Sequence, residues 1–220
     1  MSGWSFSVLD VAPTPYAAAP ELTARLRVEE TSGQRVHAVA LRCQVRIEPQ
    51  RRGYAPEDEA GMRALFGDRD RWSQTLRPFQ WMQCQTTVNG FTGSTEVDLP
   101  MPCTYDFDVA ASRYLHALGD GTVPLSLMFS GTAFRIGDEG FEVRHVPWDC
   151  TATYSLPVQV WRDLMAVFYP GSGWIRLDHD TVAALGGYRA RHGLISWEET
   201  MGRLLADADE ATPAEGAVAP

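Results

Sequence analysis

Four cysteines and five histidines are the residues best suited to metal or nucleophile chemistry in this 220-residue chain. Cys43, Cys84, Cys103 and Cys150 lie 41, 19 and 47 residues apart, so no CxxC pair exists. His37, His116, His145, His179 and His192 share no HxH, HxxxH or HExxH spacing. Cys84, Cys103, His145 and Cys150 would supply a thiolate–imidazole set for zinc or iron if a sheet brought them together. Spacing alone does not do so. Cys43 alternates in phase with Leu41 and Val45, where a thiol behaves as a small hydrophobe. The expectation is structural thiols, no metal and no cofactor. Cys150, His145 and Asp149 form a Cys–His–Asp set on paper. Residues five apart on one strand point to opposite faces, so that set needs a bulge at Pro147. Asp178-His179-Asp180 reads as a helix cap, because adjacent helical side chains do not converge on one ion. No GxSxG elbow is present, and Ser130 reads as an ordinary strand residue.

Composition excludes further classes. All 19 basic residues are Arg, which removes Schiff-base, P-loop and nucleophilic lysines. The 28 acidic residues bring the net charge to −9, which argues against a nucleic-acid partner. Arg51-Arg52 and the Arg69/Arg71 pair lie beside acids and read as solvated mixed-charge loops. Gly90 to Thr95 is glycine-rich but opens no helix, so it reads as a hairpin connection and not a phosphate cradle. No run approaches the ~20 apolar residues of a spanning helix. Met1 to Val8 lacks the basic and apolar regions of a leader. No membrane insertion and a cytoplasmic location are expected, where thiols stay reduced.

The elements that must position these residues follow from periodicity. Leu22, Ala24, Leu26 and Val28 alternate with polar residues, as do Val39, Leu41, Cys43, Val45 and Ile47. This predicts half-buried antiparallel strands. Further strands are expected at about 5–11, 79–88, 94–99, 104–110, 122–136 and 140–155. Turns are expected at Thr31–Gly33, Asn89-Gly90, Gly119–Gly121 and Gly137–Gly140. Pro56 and the acids after it open a short helical insertion ending at Gly67, and Asp70–Leu76 suggests a second short helix. The stretch 104–118 is ambiguous, with Ala110 to Leu118 open to a helical reading. From Val158 the apolar steps become three and four residues, which predicts a helix carrying Val158, Trp161, Leu164, Met165 and Phe168. A second helix starts near Asp178 with Val182, Leu185 and Tyr188 inward, and Gly186-Gly187 suggests close packing. Ser196 and Glu199 form a capping box for a third helix, with Trp197, Met201, Leu204 and Leu205 on one face.

Strands followed by helices predict an α+β fold. The form expected is an antiparallel β-sandwich or coiled sheet with a short helical insertion and three C-terminal helices. One domain spans 1–206, strand-rich over 1–156 and helical over 157–206. Residues 207–220 are too poor in apolar side chains to order themselves.

Of the seven tryptophans, Trp81, Trp148 and Trp174 sit in Pro/Gly-flanked segments. With Asp149 they form the candidate interaction surface, since exposed aromatic rings mark interfaces.

The segments Phe91–Ala111, Phe129–Thr132, Val146–Asp149, Leu156–Met165 and Gly173–Ile175 resemble an uncharacterised actinobacterial family, over nearly the whole chain. The genes of that family occur near nickel–iron hydrogenase clusters. The resemblance implies an accessory role in assembling or coupling a hydrogenase, with a hydrogenase subunit or maturation factor as partner. It carries no catalytic residues. The expected function is that of a non-enzymatic interaction protein. The alternative is a small-ligand-binding or catalytic β-sandwich with a cleft near Trp148 and His145.

Overall fold

Period-two alternation becomes eight antiparallel strands in a computed structural model that describes residues 3–104, 109–137, 140–172 and 175–211. The strands are β1 (Trp4–Pro13), β2 (Glu21–Glu30), β3 (Val36–Ile47), β4 (Phe79–Phe91), β5 (Ser94–Pro102), β6 (Thr122–Gly137), β7 (Gly140–Val146) and β8 (Thr151–Pro157). One sheet has three strands in the order β1-β2-β5. The other has five, ordered β4-β3-β6-β7, with β8 also pairing β6. Their inner faces form a mixed α+β core: Phe6 of β1 stacks on Phe129 of β6, with ring centroids 4.3 Å apart. Leu22, Leu26, Val28 and Ile47 are completely buried in it. Val36 and Val39 are both buried despite their odd spacing, because a bulge between Val36 and Ala38 resets the alternation.

The chain departs from the predicted turns at one corner. Asn89 and Gly90 remain in β4, paired opposite β3, and do not make a turn. A Cβ at Gly90 would lie 2.9 Å from the His37 carbonyl oxygen, so glycine serves close strand approach there. The turn falls at Thr92-Gly93, where Gly93 has φ +77°. It is no hairpin either: β4 pairs β3 in one sheet, while β5 pairs β2 in the other. Glu30 N–H donates to the Gly93 carbonyl at 2.7 Å, which fixes the crossing from sheet to sheet.

The 140–155 stretch is two strands. β7 pairs Gly131–Gly137 and β8 pairs Thr122–Met128, so successive halves of β6 receive different partners. Of the strand expected at 104–110, residues 105–108 lie outside the described residues, and Ala110 already begins a helix.

The helices are α1 (Glu59–Phe66), α2 (Trp72–Thr75), α3 (Ala110–Ala117), α4 (Val158–Phe168), α5 (His179–Arg191) and α6 (Trp197–Ala211). α4 buries Val158, Trp161, Leu164 and Met165, as its apolar stripe predicts. α1 crosses α3 so closely that a Cβ at Gly61 would meet the Ala117 Cβ at 2.5 Å.

The chain divides into two compact units, Met1–Ile175 and Arg176–Pro220. The second holds α5 and α6. Asp178 caps α5, accepting from Thr181 N–H at 2.8 Å. Ser196 and Glu199 exchange the reciprocal bonds of a capping box at α6, at 3.0 and 3.3 Å. The core roles predicted here are only partly met. Val182, Trp197 and Leu205 are 42%, 43% and 67% exposed, because a unit of two helices has little interior in which to enclose a side chain. Gly186 has open space where a Cβ would stand, so close packing does not account for it. α6 continues to Ala211, so the first five residues of the tail expected to stay unordered are helical, with Asp207 accepting from Tyr188 Oη–H at 2.7 Å; residues 212–220 lie outside the described residues.

Candidate functional site

The polar face of β3 is the floor of the site. Arg42 and Gln44 point away from the core, because Leu41, Cys43 and Val45 point into it. Register sets their neighbours: Arg42 lies between Gln85 and Ser130, and Gln44 between Gln83 and Met128. An open cleft of about 980 Å³ covers this ladder. Pro100 and Pro102 of β5 and Glu21 of β2 line it, as does Trp148 from the loop between β7 and β8. The Trp148 side chain is 88% exposed.

The cleft offers amides that both donate and accept, one guanidinium, one carboxylate, and apolar surface from Trp148, Met128 and the prolines. That chemistry suits an extended polar backbone with an apolar side chain held at the rim. The thiols beneath are poor nucleophiles. Burial pushes the Cys43 thiol far up, with Cys84 adding to it. Burial, then the Glu21 carboxylate, raises Cys84 to about 11. Cys103 is raised to about 12, chiefly by burial. All three stay protonated near neutral pH.

The residues singled out by sequence separate in space. Trp148 and Asp149 are exposed together in the β7–β8 loop. Trp81 is half-buried on β4 and packs against the core. Trp174 lies outside the described residues. Cys43 and Cys84 face each other across β3 and β4, and Cys103 donates to the Met101 carbonyl at 3.4 Å. His145 is exposed on β7, whereas Cys150 is buried with its sulfur 3.9 Å from the Trp4 carbonyl oxygen. The Pro147–Asp149 break therefore does not bring His145 and Cys150 to one face. Among the described residues, no three of His, Cys, Asp and Glu assemble into a metal-holding group.

Two buried ion pairs escaped the sequence reading. Arg135 of β6 meets Glu30 of β2 at 3.0 Å, with side chains 8% and 4% exposed. Arg52, expected in a solvated loop, is 10% exposed and lies 3.8 Å from Asp58. Its guanidinium also donates to the carbonyls of Asp120 and Thr122, which ties its loop to the turn between α3 and β6. The Arg42–Gln85 ladder was half visible: alternation marked each residue as outward, but nothing local aligned the strands.

The fold and site define a two-sheet antiparallel α+β protein with an aromatic-rimmed polar cleft. The chain belongs to the family of unknown function DUF6084, whose sequence model matches residues 1–213. No curated protein matches the sequence. Among solved structures, a β-glucosidase from Kluyveromyces marxianus is similar at 7% identity with a TM-score of 0.26. That match covers 69% of this chain and only 14% of the enzyme's.

Proposed function

We propose that this protein works by binding another protein through the cleft rimmed by Trp148. The observation that carries the reading is the Trp148 ring, 88% exposed beside a ladder of outward amides. Large rings left in water at the edge of a polar groove are typical binding anchors, since burying one contributes far more than its neighbours do. The resemblance to the actinobacterial family supports an accessory role in the cytoplasm, with a nickel–iron hydrogenase subunit or maturation factor as the first partner to test. The test is affinity purification of the tagged full chain from cells expressing the hydrogenase. Hydrogenase components should co-purify, and Trp148→Ala should lose them while melting like the wild type. Equal recovery with Trp148→Ala would remove the cleft from the interaction, and recovery of no hydrogenase component would remove the partner.

A second reading, a small polar ligand in the same cleft, is favoured by its volume and by the two opposite charges, Arg42 and Glu21, in its lining. A defined small molecule retained through purification and lost with Arg42→Ala would select it.

A further inference from the structure

A sheet edge normally carries devices that prevent a second chain from pairing with it: like charges, proline, bulges or a covering element. β7 carries charges as well, Glu142 and Arg144 on the face it shares with the buried Ala133 and Arg135, but they are of opposite sign. Among the described residues its ladder partner is β6 alone, with Phe134 opposite Val143 and Arg135 opposite Glu142. β8 occupies the other half of β6 and does not extend along β7. The outward N–H and C=O groups of β7 thus form a pairing edge seven residues long. Val143 is 53% exposed, and Ile136, on the same face of β6, is 63% exposed.

The sequence of this edge is complementary to itself. Glu142 and Arg144 flank Val143 and share the opposite face, where they pair within the strand at 2.6 Å. Antiparallel pairing about a two-fold axis at Val143 sets each Glu142 against the other copy's Arg144, twice over. The same register sets Val143 against its own copy, so two β-branched side chains cover each other. A single sign of charge would repel a copy. One acid and one base placed symmetrically about an apolar centre attract it.

We propose that β7 is a homodimerisation edge, with a second copy of this chain adding its own β7 antiparallel and centred on Val143. The two five-stranded sheets then run on as one. Seven residues per copy and two exposed apolar side chains make a small interface, so the dimer dissociates on dilution.

Sedimentation of the full chain over a range of concentrations tests this. Wild type should show a reversible monomer–dimer equilibrium. Glu142→Arg and Arg144→Glu should each weaken it by about tenfold or more, because like charges then face each other at two symmetric points. An equimolar mixture of the two variants should regain the dimer, since every Arg again faces a Glu. The double exchange Glu142→Arg/Arg144→Glu should regain it too. Val143→Cys, on the axis, should cross-link to its own copy with diamide, the two thiol hydrogens passing to the diazene as the disulfide forms. Circular dichroism and melting of each variant separate lost pairing from lost folding. A wild type that stays monomeric throughout overturns the proposal. So do single variants that dimerise as wild type does, or a mixture that fails to regain the dimer.

Discussion

The β-rich unit and the helical unit are held by different kinds of interaction. In Met1–Ile175 the stabilising contacts join residues far apart in sequence. Glu30 meets Arg135, Phe6 stacks on Phe129, and Gly131 lets β6 approach β3. In Arg176–Pro220 they are close along the chain or lie on exposed surface. Asp178 caps its own helix, Ser196 and Glu199 cap the next, and the Arg189 guanidinium lies 4.2 Å from the Trp197 ring centroid. α5 buries no residue at all. The glycines show the same division. A Cβ at Gly131 would lie 2.5 Å from the Ala40 carbonyl oxygen, whereas one at Gly186 meets nothing within 4 Å. A substitution in the first unit therefore disturbs distant partners, and one in the second is felt where it is made.

Arg135→Met gives the sharpest test of that contrast. It leaves Glu30 in the interior without its cation, which should cost about 3 kcal/mol in chemical denaturation. Charge removal should be felt in the pH profile as well. Burial by itself would raise the Glu30 carboxyl, but the Ser32 hydroxyl and amide together with Arg135 outweigh it and hold the group below its ordinary range. A carboxyl so lowered contributes stability above its unfolded pKa and loses it as pH falls through the folded value. Wild-type stability should thus fall on acidification below about pH 4, and Glu30→Gln should flatten that limb. An acid limb unchanged in Glu30→Gln would show that the pair does not stabilise the sheet contact.

Gly131→Ala should come next, costing about 2 kcal/mol by forcing β3 and β6 apart. A melting temperature equal to wild type would break the comparison, because the close strand approach would then be dispensable. Gly186→Ala should have the smallest effect and the opposite sign. With space for the methyl group and a helical backbone, it should stabilise α5 by about 0.5–1 kcal/mol, read as greater helicity and slower amide exchange. Loss of helicity would mean that the open side of Gly186 is occupied.

What was legible in the sequence follows the same division. The caps at Asp178 and Ser196 were readable because donor and acceptor lie three residues apart. The strands β2 and β3 were readable because alternation is a property of neighbouring residues. The corner at Asn89-Gly90 was misread, since that pair favours turns locally while the requirement for a bare Cα comes from the His37 carbonyl. Arg52 was placed in solvent for the same reason: its partners Asp120 and Thr122 belong to a distant turn. Of the candidate site, Trp148 was legible from its proline-flanked position. The amide ladder under it was not.

The sequence by itself determined an acidic, lysine-free α+β chain in which strands dominate the first three-quarters and helices the end, and which side chains of β2 and of β3 from Val39 face inward. It did so because period and capping act over a few residues. Tertiary structure alone decided that β4 and β5 enter different sheets. It also decided that Glu30 is neutralised by Arg135, and that Arg42, Gln44, Gln83 and Gln85 come together beside Trp148. Each of these depends on register between segments tens of residues apart. A one-residue slip would turn every side chain to the other face, and only the packing of the whole core selects among such registers.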